Sequence, residues 1–209
     1  MAQAPTLQLD GKCTVIGFYV HHHGRGHLHR TRAILSHLDD AVIFTSSPEV
    51  GDELAPFGIV LLPPDAGHGE SGTDATAGGW LHWAPERSTL LRQRTAVFAH
   101  ELARHRVSLL VCDVSVEACL LARLSGIPTV TVRSHGDRTD RPHAFGFDAS
   151  SALLAPYPAE LESASTPASI TERTFHAGFV TDAYGQTLRP DVVRATLRDH
   201  LKNNKYRWI

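Results

Sequence analysis

The densest group of residues able to do chemistry is His21-His22-His23-Gly24-Arg25-Gly26-His27-Leu28-His29-Arg30. A histidine can take a proton from a hydroxyl, because an ordinary imidazole pKa near 6.5 leaves the ring neutral at working pH. Glycines at 24 and 26 let a ligand approach the main chain closely, and a helix N-terminus after such a loop favours anionic groups. Gly24, Arg25 and Gly26 are therefore candidate phosphate-binding residues, and His27 is the candidate base. The plainer alternative is that these histidines cap a helix or face solvent.

Two more specific chemistries fit these residues poorly. A GxGxxG dinucleotide fingerprint needs glycine where His29 stands, and the segment that would hold an NAD ribose ends in Thr45-Ser46-Ser47 without an acidic residue. Five histidines within nine residues suggest a metal, yet consecutive residues cannot all converge on one ion, and His27 and His29 splay apart on a helix. No cofactor and no metal is expected, beyond adventitious nickel or zinc affinity of the histidine run.

Further along, Asp113 can orient and charge-stabilise an imidazole, or cap a helix starting near Val114. Glu117 can line an acceptor site or act as a first-turn acidic residue. Ser134 and His135 open a polar loop, Ser134-His135-Gly136-Asp137-Arg138, suited to phosphates or to solvation. Trp80, His82 and Trp83 offer an acceptor wall, or anchor a loop on the core.

The elements that must position these groups alternate. Cys13 to Val20 is an apolar run of the kind a strand buried on both faces shows, and Leu28 to Leu38 carries apolar residues at helical spacing. Strands follow at Ala41 to Thr45 and Ile59 to Leu62, separated by a helix at Pro48 to Pro56. A long loop, Asp65 to Gly79, precedes a helix opened by Pro85 and Glu86 and reaching His105. Ser108 to Asp113 is a strand, Val116 to Leu124 a helix and Ile127 to Val132 a strand. The pattern weakens after Arg133, with strands at Ala152 to Ala155 and Phe175 to Val180 and a final helix from Pro190 to Leu201. This alternation implies an α/β, Rossmann-like three-layer sandwich with a mostly parallel sheet, whose ligands bind at the carboxyl ends of the strands.

Composition narrows the class. With 209 residues, 42% hydrophobic, the chain can bury a real core. Its net charge of −2 provides no basic field for nucleic acid, which is not an expected partner. The three cysteines, Cys13, Cys112 and Cys119, lack CxxC spacing and read as reduced core residues. The N-terminus has no signal-peptide pattern and no apolar run reaches a membrane span, so a cytoplasmic location is expected.

Three blocks carry a family resemblance. Gly24-Arg25-Gly26-His27-Leu28-His29-Arg30-Thr31-Arg32 resembles the GxGHxxR-type first loop of GT-B glycosyltransferases of the MurG-like and UDP-glycosyltransferase superfamily. Leu109 to Ala118 with Ala122 to Val130 resembles the family's strand, Asp, helix and A-x-x-x-G-[IV]-P arrangement, and His176-Ala177-Gly178-Phe179-Val180 resembles the strand closing its N-terminal domain. The resemblance implies an acceptor-binding Rossmann-like domain over residues 1–180, then a linker-like segment and terminal helix over 181–209, with the second domain absent. It places His27 where many inverting members carry their general base, and needs no obligatory metal.

The partners implied are a nucleotide-sugar and a small-molecule or lipid-linked acceptor, with a separate donor-domain chain or a homodimer completing the assembly. Such a half is expected to be inactive by itself, because transfer requires donor and acceptor to be held together. Two other readings remain: a non-catalytic phosphate-ligand-binding or assembly module, and a stand-alone Rossmann-like enzyme using His27 with Asp113.

Overall fold

A computed structural model describes residues 15–21, 25–65 and 73–181. Seven strands form one sheet: β1 (Val15–Val20), β2 (Ala41–Thr45), β3 (Gly58–Leu61), β4 (Val107–Asp113), β5 (Thr129–Val132), β6 (Ala152–Ala155) and β7 (Thr174–His176). Their order is β3-β2-β1-β4-β5-β6-β7, and every pairing is parallel. The helices are α1 (Arg25–Leu35), α2 (Pro48–Glu53), α3 (Thr89–Arg104), α4 (Val116–Leu124), α5 (Arg141–Ala149) and α6 (Ala168–Thr171). This is the α/β Rossmann-like sandwich that the alternation implies.

Both faces of the sheet are covered, and successive strand residues show it by entering different cores. Phe18, Val20 and Ile43 pack with Leu28 and Leu35 of α1 and Val50 of α2. Tyr19, Val42 and Phe44 pack with Phe98 and Leu102 of α3 and Ala118 and Ala122 of α4 on the opposite face. All five residues of β2 are buried, which explains the lack of polar alternation in that run. Burial of Leu28 and Leu35 contributes roughly 1.5–3 kcal/mol each and holds α1 against the sheet.

Local signals set the helix starts. Ser47, Ser88 and Ser115 cap α2, α3 and α4 by accepting from the backbone N–H of Val50, Leu91 and Ala118. Gly126, at φ 78°, ends α4 in the left-handed conformation that glycine adopts without strain. Gly17 lets β1 pass beneath its neighbours: a Cβ there would meet Leu110 Cδ1 and Val107 Cγ1 at 3.0 Å.

Several expected boundaries differ; α1, for one, runs Arg25–Leu35 where the spacing predicts Leu28 to Leu38, so His27 stands on the helix itself. The helix expected from Pro85 begins only at Thr89, because Ser88 supplies the cap and Arg87 takes φ 60°, outside the helical region. α5 was not anticipated, although Asp140 as cap and Pro142 in the first turn announce it. β7 is shorter than the expected strand and ends at His176. The expected final helix, Pro190 to Leu201, lies outside the described residues, as does Gly24. Among the described residues no helix is long and apolar enough to cross a membrane.

Candidate functional site

The strand order reverses between β1 and β4, and the carboxyl ends of these neighbours are where such a sheet opens a crevice for ligands. Val20 of β1 stands opposite Asp113 of β4, so the loop leading to α1 and the end of β4 meet there. His27 Nδ1 lies 3.2 Å from Asp113 Oδ1. The Asp113 side chain is 4% exposed, and Arg30 donates to it from Nε (3.2 Å to Oδ2) and from Nη2 (2.9 Å to each oxygen). Arg30 Nη2 is also 3.1 Å from His27 Nδ1.

Two tautomers satisfy this triad. With the proton on Nδ1, His27 donates to Asp113 and its Nε2 carries a free lone pair. With the proton on Nε2, Nδ1 accepts from Arg30. The first is the arrangement a general base requires. Asp113 is not the α4 cap, which falls to Ser115, so its carboxylate is left to Arg30 and His27.

The residue after Asp113 is Val114, at φ 71°. A β-branched residue rarely takes this conformation, which costs on the order of 1–3 kcal/mol and is found chiefly where surrounding contacts force it. Here the turn sends the chain directly from the carboxylate of β4 into α4.

Arg30 links the triad to a cavity of about 240 Å³ lined by Arg30, Ser134, His135, Pro156, Tyr157, Leu161 and Phe179. Tyr157 is its central ring, standing edge-on to His135 and to His176 with centroids 5.4 Å away in each case. Beneath it, the buried Arg133 forks onto Glu162 through Nη1 and Nη2, while its Nε lacks a hydrogen-bond partner. Burial would raise the Glu162 carboxyl, but hydrogen bonds from Arg133 and Thr166 and the Arg133 charge outweigh it and bring the pKa to about 2. Burial pushes the Tyr157 phenol up to about 12, against the lowering charge of Arg133, so the ring presents a neutral hydroxyl. Arg133, Tyr157 and Glu162 were not among the residues expected to matter; an arginine directly after the apolar run of β5 was the available signal.

The other expected residues separate. Gly26 lies in the first turn of α1, and a Cβ there would meet nothing within 4 Å. Arg25 is paired with Glu53, Nη1 to Oε1 at 3.0 Å, and Arg32 shares that carboxylate. Glu117 accepts the backbone N–H of His82 (2.8 Å) and Trp83 (3.1 Å), and so fastens the loop before α3 onto α4. It also lines a second, smaller cavity of about 80 Å³ with Tyr19, Trp83 and Arg94. Trp83 donates from Nε1 to the Asp65 carbonyl, and Trp80 lies under Arg141 with the guanidinium 3.2 Å from the ring centroid. Both tryptophans thus anchor the loop.

No protein-family model matches the sequence, and no curated protein matches it. Among solved structures, MurG from Acinetobacter baumannii matches with a TM-score of 0.50 at 12% identity, over 78% of this chain and 45% of that one. The chain has the fold of one GT-B half. It spans less than half the length of that MurG structure. Lower-scoring matches include the Streptomyces sp. SF2575 glycosyltransferase SsfS6 (TM-score 0.46, 12% identity, 72% of this chain and 52% of that one). Another is UDP-GlcNAc 2-epimerase from Methanocaldococcus jannaschii (TM-score 0.42, 15% identity, 71% and 40%).

Proposed function

We propose that this chain is the acceptor-binding half of an inverting glycosyltransferase, with His27 as the base that deprotonates an acceptor hydroxyl. The observation that carries the reading is the contact of His27 Nδ1 with the buried Asp113, beside the cavity that Arg30 also lines. Asp113 holds the imidazole in the Nδ1–H tautomer and stabilises the imidazolium formed as the proton arrives at Nε2. Arg30 fixes the carboxylate, keeping the ring oriented before substrate arrives.

The adjoining cavity, about 240 Å³, accommodates only part of a drug-sized molecule, and its ring-rich lining suits an apolar or cyclic portion of the acceptor. The nucleotide-sugar is supplied by a second, donor-binding half. Arg25, engaged by Glu53, is poorly placed to serve the rival role of a phosphate-binding cation, which weighs against a phosphate-ligand module.

The test is calorimetric titration of the chain with UDP, dTDP and their sugar conjugates, followed by transfer assays with any donor-domain protein that co-purifies with it. The expected result is no specific nucleotide binding by the chain alone and transfer on complementation. His27→Ala then lowers kcat by about 10²–10⁴-fold while acceptor affinity is kept. Micromolar nucleotide binding by the chain alone, abolished by changing Gly26 or His27, would instead mark a self-sufficient nucleotide-binding protein.

A further inference from the structure

We propose a divalent transition-metal site at His82, Asp140 and His143, independent of the His27 triad and suited to zinc. One donor atom from each residue lies within 4.8 Å of the other two. His82 Nε2 is 3.3 Å from Asp140 Oδ1, and His143 Nδ1 is 2.5 Å from Asp140 Oδ2. In a tetrahedral zinc site with bonds of about 2.0–2.2 Å, neighbouring ligand atoms stand roughly 3.3 Å apart. The first separation already has this value; the second is shorter and opens to it by a small turn of the His143 ring, which leaves the Asp140 cap in place.

Two imidazoles and one carboxylate form a borderline donor set that zinc and its neighbours in the first transition row accept, with a water in the remaining position. The side chains of His82 and Asp140 are 41% and 48% exposed, so an ion can enter from solvent. The ligands are also held in place. Glu117 fixes the His82 backbone, and Asp140 is pinned as the α5 cap, accepting from the His143 N–H. The His82 and His143 rings are already stacked edge to face with centroids 4.5 Å apart. A two-residue hydrogen-bonded pair would not need the second histidine brought from a loop far away in the sequence.

An ion here ties the loop that carries Trp80 and Trp83 to α5, adding to the contacts of Trp80 with Arg141 and Phe145. Since Trp83 walls the cavity beside Tyr19, the ion's effect is to hold that wall in place. Its role is structural, and the His27 chemistry proceeds without it.

The test is titration of the untagged full chain with cobalt(II), read by visible absorption, in a background of His21→Ala, His22→Ala and His23→Ala that removes the adventitious histidine run. One equivalent should bind with the intense bands of low-coordinate cobalt, be displaced by zinc, and slow proteolysis within residues 73–88. His82→Ala and Asp140→Asn should each weaken binding by at least about tenfold. Asp140→Asn keeps the helix cap, since asparagine caps as well as aspartate, so its loss of binding is not a loss of folding. Absence of stoichiometric binding, or binding indifferent to both substitutions, overturns the proposal.

Discussion

Replacing Arg30 with methionine keeps an unbranched apolar stem and removes the guanidinium. Asp113 then loses three charge-assisted contacts of 2.9–3.2 Å while its side chain stays 4% exposed. Breaking a buried ion pair on one side costs about 3–5 kcal/mol, because the remaining charge is neither solvated nor paired. Arg30 is itself 14% exposed, so water partly fills the gap, and about 2–4 kcal/mol is expected. This is a large share of the roughly 5–15 kcal/mol that stabilises a domain.

Urea denaturation at pH 8, followed by circular dichroism, should show this loss, and adding Asp113→Asn to Arg30→Met should recover most of it. A cost below about 1 kcal/mol at pH 8, or a double variant no more stable than Arg30→Met, refutes the view that Arg30 neutralises Asp113.

Three further outcomes follow from the same contacts. Glu162, held near pKa 2 against an ordinary value of 4.5, contributes stability that is complete above pH 4.5 and lost as pH falls toward 2. Allowing for solvent screening of a partly exposed group, the loss is on the order of 1–3 kcal/mol in acid titration and should disappear in Glu162→Gln. Val114→Gly removes a strained φ of 71° at the cost of glycine's extra chain entropy, so its melting temperature should be equal to or above the parent's, where Val→Gly ordinarily lowers it. Gly17→Ala forces a Cβ against Leu110 and Val107 at 3.0 Å and should destabilise the chain by about 1–3 kcal/mol in the same urea assay.

The strands and helices up to β5 were legible in the sequence because their signals are local: an all-apolar β2, helical spacing in α1, and serine or glycine at helix ends. His27 and Asp113 could each be singled out by residue type and by their place after a strand. Whether Asp113 caps a helix or faces an imidazole was undecidable locally, since aspartate does both; pairing β1 with β4 and capping by Ser115 decided it. The same limit hid Arg30, whose spacing within α1 reads as a solvated face until β4 brings a carboxylate beneath it. Arg133 and Glu162, and likewise His82 with Asp140 and His143, meet only through folding. Local patterns specify which segments hide their side chains, because burial follows periodicity within a segment. Which polar groups meet depends on strand order and loop docking, and those are set by contacts between residues far apart in the chain.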